Sequence, residues 1–311
     1  MKKTTTLLLI FLGLHVYGQD PVFSQYMFNG MLINPAIAGS KSAISTALFY
    51  KRQWMALTEG PNIYSFNIHS PIYHQKIGIG FQTFSEKYNI QNRVNVTGTL
   101  CYRINLAKGV LSFGVSTGFI QNSLQYSSLK VLEEEQQYLK PDVNIMYPDI
   151  GSGLYFQHNT FYFGISGLHL ISNSLSSANS NIKRQFNFMA GKKIILTERW
   201  EILPSCLVKF ISGSVYQGDL TTHVKYNDLL WAGVSYRTQN YMSLQFGLKL
   251  SDLISLARQS IKIGYAYDWN SSSTKNYLGA THELMLVCDF NVYPKVSTIN
   301  KKKINISPIL F

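Results

Sequence analysis

The feature that most constrains this chain is a two-residue alternation that recurs almost from end to end. In the stretch from Gly109 to Ile120, Leu111, Phe113, Val115, Thr117 and Phe119 occupy one face, while Ser112, Gly114, Ser116 and Gly118 occupy the other. Successive side chains of a strand point to opposite faces, so this pattern predicts a strand with one apolar side and one small, polar side. A soluble sheet that buries its apolar face would also alternate, but here charge recurs opposite the apolar row. Ile261, Ile263, Tyr265 and Tyr267 oppose Lys262, Gly264, Ala266 and Asp268; Val94, Val96, Leu100 and Tyr102 oppose Arg93, Asn95, Thr97, Thr99 and Arg103. Met242, Leu244, Phe246, Leu248 and Leu250 likewise oppose Tyr241, Ser243, Gln245, Gly247 and Lys249. An apolar exterior around a polar interior, repeated over many strands, is the pattern of a transmembrane β-barrel.

Composition agrees. Only 14% of the 311 residues are charged, with 20 Tyr and 18 Phe, where a soluble domain carries about 25% charge. Beyond the N-terminus no uncharged apolar run reaches the roughly 20 residues of a spanning helix. The formal charge is +12, but the basic residues are dispersed along strands, apart from Lys301–Lys303, which argues against a nucleic-acid surface. Cys101, Cys206 and Cys288 are odd in number and far apart, and read as small apolar residues.

Residues 1–18 have the form of a secretory signal: Lys2 and Lys3, the apolar run Leu7–Leu14, then a small-residue site ending at Gly18. Residues 19–42 have no clean period and are punctuated by Pro21, Gly30, Pro35 and Gly39, predicting a periplasmic arm or a plug in the barrel mouth. About fourteen strands follow between 43 and 290, at 43–54, 61–69, 76–84, 93–104, 109–120, 151–157, 161–169, 185–194, 199–210, 219–227, 230–237, 241–250, 261–268 and 281–290. The expected fold is therefore all-β, a transmembrane antiparallel barrel with an N-terminal arm, no dividing linker, and a periplasmic tail at 291–311. An even strand number brings both termini to one side, the periplasm of a Gram-negative outer membrane. Pro204, lacking a donor, predicts irregular pairing within its strand. The acidic cluster Glu133–Glu135 reads as a solvated loop surface.

Chemistry-bearing patterns are sparse. No phosphate loop, dinucleotide fingerprint or HExxH is present, and Ser166 in GISGL lacks the strand–turn–helix setting of a nucleophile elbow. Neither a cofactor, a metal site nor a catalytic residue is expected. His69 and His74 flank a Ser-Pro turn, and His169, at a strand end, is expected in the interfacial belt. Lys51, Glu201, Lys209, Asp219, Lys225, Arg237, Lys249, Lys262, Asp268 and Glu283 are expected to face inward and pair across the lumen. Facing lipid near the midplane, each basic group would cost about 2–4 kcal/mol. Trp54, Tyr64, Trp200, Trp231, Tyr236 and Trp269 are expected in aromatic girdles.

Several segments resemble the PorP/SprF family of Bacteroidota outer-membrane proteins, tied to type IX secretion and gliding motility. They are QDPVFSQYMFNGMLINPAIAGS (19–40), Arg52-Gln53-Trp54 with GPNIYSFNIHSPI after it, PDIGSGLYF (148–156), FGISGLHL (163–170), LPSCLVKFISGSVYQGDL (203–220), LLWAGVSYR (229–237), IGYAYDWNSS (263–272), HELML (282–286) and the terminal SPILF. MALTEGP follows Trp54 where a GxxGAP-like form is usual in that family, and PDIG stands for a PDFG-like motif. The resemblance implies a barrel without enzymatic activity that serves the secretion machinery, or the export and surface anchoring of a large adhesin. Its partners would be those proteins and outer-membrane lipid, and its candidate partner-binding or structural positions Ser24, Gln25, Asn34, Pro35, Arg52, Gln53 and Trp54. A transporter of small solutes through the lumen is the alternative, and a soluble secreted sandwich a third reading.

Overall fold

The computed structural model describes residues 20–129, 141–171, 182–212, 216–238, 240–250, 259–270 and 275–290. The signal segment 1–18, the tail 291–311 and Glu133–Glu135 lie outside the described residues. After a short arm come β1 (Ile44–Arg52), β2 (Asn62–Ile72), β3 (Ile77–Tyr88), β4 (Gln91–Leu106), β5 (Gly109–Leu124), β6 (Val143–Gln157) and β7 (Phe161–Leu168). They continue with β8 (Gln185–Lys192), β9 (Ile194–Ile195), β10 (Trp200–Ile211), β11 (Gln217–Tyr226), β12 (Leu230–Arg237), β13 (Tyr241–Lys249), β14 (Gln259–Asn270) and β15 (Thr281–Phe290). Fourteen long antiparallel strands form the wall, with β9 a two-residue continuation beyond β8. The first strand closes on the last in continuous register from Ile44–Phe290 to Arg52–His282. Closure leaves no sheet edge, which a lipid-embedded sheet requires.

The two-residue period places side chains as expected. On β5, Ser112, Gly114 and Ser116 are buried while Phe113, Val115, Thr117 and Phe119 are exposed. The same phase holds on β4, β13 and β14. The three longest connections, 125–142, 169–184 and 271–280, share one end of the barrel; β1 enters and β15 leaves at the other, where turns such as Ala107-Lys108 and Asn227–Leu229 are tight. Pro204 does interrupt a ladder: β10 pairs with β8 up to Ser205–Gly191 and with β9 from Ile202–Ile194, leaving the positions between unpaired on that side.

Three expectations are corrected. β6 begins at Val143, eight residues before 151, because upstream of Ser152 it pairs with β5 alone, so Pro148 disturbs at most one ladder. Trp231 is no girdle residue. Its neighbours Leu230 and Ala232 take the outward phase, and the indole, 4% exposed, turns inward against Phe28 with ring centroids 5.2 Å apart. His169 is likewise inside and buried, not in an interfacial belt. Tyr64, Trp200 and Tyr236 do lie exposed on the outer surface.

A basic residue placed outward in mid-wall tests this phase. Val115→Lys should destabilise the folded barrel by about 2–4 kcal/mol, read as a lower denaturant midpoint in lipid vesicles, and Thr46→Lys on the neighbouring outward row should fall in the same direction.

Candidate functional site

The lumen is occupied by the chain's own arm. Residues Asp20 to Ser40 fold through short turns at Tyr26–Phe28, Gly30–Ile33 and Pro35–Ile37, and, Val22 apart, every one of them is buried. β4 measures how far the arm travels. Arg93, near one end of that strand, holds the Asp20 carboxylate at 2.5 Å, while Arg103, near the other, donates to the carbonyls of Gly39 at 2.6 Å and Ser40 at 3.4 Å. Ten residues of strand separate the two arginines, about 33 Å at the usual rise. The entry of β1 and the exit of β15 share an end, as an even strand number demands. Asp20, however, sits at the opposite end, and the termini themselves lie outside the described residues.

Three ionic clusters pin the arm. At its start, Glu283 (0% exposed) accepts from the backbone N–H of Ser24 at 2.8 Å and of Gln25 at 2.9 Å, and from the Gln25 side-chain amide at 3.3 Å. Lys51 (1% exposed) reaches Glu283 at 3.5 Å and Asp268 at 3.1 Å, and donates to the Val22 carbonyl at 2.7 Å. The Ser24 hydroxyl donates to Asp268 at 2.7 Å, and Gln245 donates to the Ser24 carbonyl at 3.0 Å. Arg237 and Asp219 pair at 2.6 Å, and Lys209 lies within electrostatic range of Asp20 and Asp219. Lys51, Lys209 and Arg237 thus balance Asp219, Asp268 and Glu283. Such balance is what makes burial of charge tolerable.

The second cluster sits at the long-loop end. His169 bridges Asp20 through Nε2 at 2.7 Å and Asp149 through Nδ1 at 2.9 Å, and Asn95 donates to Asp149 at 3.2 Å. His169 and Asp20 both lie outside the strands. Burial opposes protonation of His169, but the facing Asp20 and Asp149 carboxylates outweigh it and hold its pKa up at about 10. Burial likewise opposes ionisation of Asp20, and His169 and Arg93 outweigh it, holding its carboxyl below the ordinary range. Two cations then face two anions. In the third cluster, at the arm's exit, Asp289 meets Lys41 at 2.9 Å, Lys262 at 3.5 Å and the Ser45 hydroxyl at 2.6 Å.

Between the clusters the arm is seated by shape. The Asn34 amide donates to the carbonyls of Leu154 at 2.9 Å and Ile165 at 3.2 Å, and its oxygen accepts from Ala36 N–H at 2.9 Å. The Ile33 carbonyl accepts from Ser166 at 2.6 Å and Asn187 at 3.0 Å. This close approach requires inward glycines: a Cβ on Gly153 would overlap the Asn34 amide, and one on Gly114 the backbone of Pro35 and Ala36. Around these contacts Phe23, Tyr26, Phe28, Leu32, Ile33 and Ile37 pack with inward wall residues in one apolar core.

The seven positions singled out from sequence separate into three places. Ser24 and Gln25 lie in the Glu283 cluster, and Asn34 and Pro35 lie on β5–β7. Arg52, Gln53 and Trp54 build the β1–β2 loop. The Arg52 guanidinium donates to the carbonyls of Gly60 at 2.8 Å, Thr58 at 2.9 Å and Leu57 at 3.2 Å, and Gln53 N–H bonds Pro61 O at 2.8 Å. Trp54 is left-handed (φ 54°), bonds Thr281 Oγ1 at 3.3 Å through its N–H and meets the Tyr88 ring edge-on at 5.9 Å. Sequence reasoning missed Asp20, His169, Asp149 and the seat glycines; small residues at inward positions of β5, β6 and β7 were the available signal. His69 accepts from Gly39 N–H through Nδ1 at 3.2 Å, and among the described residues no group of three or more His, Cys, Asp and Glu is arranged to hold a metal. The expected inward charges do pair: Lys225 with Glu201 at 3.8 Å, and Lys249 with Asp228 at 3.3 Å.

A closed antiparallel barrel with an apolar outer wall and a charged, arm-filled lumen is a membrane β-barrel protein. Residues 15–288 match the family described as type IX secretion system membrane protein PorP/SprF, and the chain belongs to that family. No curated protein matches it. Among solved structures it is similar in fold to the CymD monoaromatic hydrocarbon channel, with a TM-score of 0.51, 11% identity, and 84% of this chain and 91% of that one covered. The toluene transporter TodX of P. putida aligns with a TM-score of 0.47 and 10% identity, over 84% of this chain and 93% of that one.

Two measurements test the seat. Lys51→Ala strands two buried carboxylates and should destabilise the barrel by about 3–5 kcal/mol, read by denaturant unfolding. The pH dependence follows from the Asp20–His169 pair. His169 is raised in the folded state, so its contribution is full below the unfolded value near 6.5 and is lost as pH climbs towards about 10. Asp20 is depressed, so its share is full above the unfolded 3.8 and is lost as pH falls. Stability should plateau between those limits, and His169→Gln should abolish the alkaline decline.

Proposed function

We propose that this chain is a non-enzymatic outer-membrane barrel that scaffolds type IX secretion, or the export and surface anchoring of a large adhesin partner. The observation that carries this reading is the filled lumen in a chain of the PorP/SprF family. A lumen braced by three ion clusters and an apolar core supports a fixed platform better than a conduction path. The end with tight turns faces the periplasm in this reading, and the long-loop end the cell exterior, as in barrels of this class. Ser24, Gln25, Asn34 and Pro35 hold the platform in shape from inside. Arg52, Gln53 and Trp54 order the β1–β2 loop at the long-loop rim, where a surface partner would meet it. No partner contact is assigned to the four buried positions while the arm is seated.

The second reading, transport of small solutes, is favoured by the fold it shares with a protein named as a monoaromatic hydrocarbon channel. It requires the arm to move. Affinity purification of the tagged protein from mildly solubilised outer membranes should recover secretion components or a large adhesin in fixed ratio, and planar bilayers should show the intact barrel closed. Recovery of the barrel alone, with a stable solute-dependent conductance, would transfer the assignment to transport. A chain lacking residues 20–38 should conduct where the intact one does not.

A further inference from the structure

The outer wall carries a dent that neither the arm nor the closed ring explains. Across β11–β15, near the short-turn end, an open groove of about 840 Å³ is lined by Trp200, Val224, Ala232, Phe246, Ile263 and Leu284, with the backbone at Gly247 and Gly264 as its floor. The registers show how it forms. Ala232 lies between Val224 and Phe246, and Phe246 beside Tyr265, so one small side chain interrupts an outward row of large ones. Leu230 and Val234 flank it along β12, and both are exposed. At the rim, Trp200 and Tyr226 pack with ring centroids 4.7 Å apart. Next to Trp200 in the chain stands Arg199, exposed, with Glu198 beside it. Lys193, Lys225 and Lys249 at the same rim are engaged by Glu201 and Asp228. Among the described residues beside the groove, this end carries four basic residues (193, 199, 225, 249) and three acidic ones (198, 201, 228).

We infer that this groove is a discrete glycerophospholipid site, with acyl chains lying along Ala232 and Phe246 and the phosphate at Arg199. The inference rests on the membrane placement of the barrel. An almost wholly apolar concavity opening sideways from a lipid-facing wall suits flexible chains, and an aromatic pair followed by cations at its end suits the interface and headgroup. The small side chain at Ala232 lets a chain lie below its larger neighbours, in contact on three sides.

The test uses the delipidated mature protein in detergent micelles, titrated with phosphatidylglycerol carrying brominated acyl chains, with quenching of Trp200 read against a Trp200→Phe control. The expected result is saturable quenching at one lipid per barrel. Ala232→Phe, which fills the groove, should weaken it by about tenfold; Arg199→Glu, which leaves the wall untouched, should weaken it several-fold. Both variants must retain faster migration unheated than boiled on a gel. Quenching that rises without saturation, equally in wild type and Ala232→Phe, would overturn the site in favour of ordinary lipid contact. A barrel that is dimeric in micelles, becomes monomeric on Ala232→Phe and shows no saturable quenching would overturn it in favour of a second copy. Failure of the membrane reading itself would look different: no Trp quenching of any kind after reconstitution into vesicles of the brominated lipid.

Discussion

The structure depends on how a barrel of this width disposes of its interior. Eight strands enclose a space that wall side chains can fill, whereas sixteen or more leave an aqueous channel. Fourteen fall between, and the inner face here carries Lys51, Lys209, Arg237, Asp219, Asp268 and Glu283 at depths where water is scarce. Unpaired, each would be costly. Glu283 resolves most of the problem at one point, because its two carboxylate oxygens take Lys51 from β1 and two consecutive arm N–H groups at once. The arm is therefore part of the interior's charge balance, and the residues that close the barrel between β15 and β1 are the same ones that hold its filling.

Charge fixes the arm's register, but apolar burial supplies more of its hold. Phe49, Ile63, Phe84, Leu203, Leu207 and Trp231 all point inward, against the rule of a polar lumen, and each packs in one cluster with arm residues such as Phe23, Tyr26 and Phe28. A large apolar side chain taken fully from water contributes about 1.5–3 kcal/mol, so a handful outweighs a net-neutral ion network. The result is a core like that of a soluble domain placed inside a membrane protein, with the lipid-facing surface as a second apolar layer outside it. The backbone wall separates the two, and at Gly264 it is thin enough that the Gln25 side chain rests directly on the peptide plane.

Much of the wall was legible from period alone, because lipid outside and polar packing inside act on every strand alike. The exceptions mark where another force took over. Trp231 was read as a girdle residue by its type, although its own phase, between Leu230 and Ala232, already pointed inward. Positions 143–150 lie outside the strand expected at 151–157, and Pro148 is a residue that a two-sided ladder excludes; a strand with one partner tolerates it, and Asp149 is needed inside for His169. The arm was the least legible part. It has no period, its bonds join residues from about thirty to more than two hundred positions apart, and Asp20 meets His169 across 149 residues. Only the small inward residues of β5–β7 hinted that something had to fit against them.

Several of the segments that carry the family resemblance meet at the seat. Asn34 and Pro35 of the arm lie against Gly153 in PDIGSGLYF, Gly164 and Ile165 in FGISGLHL, and Gly114 on β5. Ser24 and Gln25 lie against Asp268 in IGYAYDWNSS and Glu283 in HELML, and Tyr26 against Ser205 in LPSCLVKFISGSVYQGDL. Segments scattered over the chain thus meet at one interface inside the barrel, and what they share is contact with a single 21-residue arm (20–40). Positions bound to one another in this way cannot change singly without leaving a charge or a donor unmatched. A barrel built so has its interior fixed by mutual contact between wall and arm.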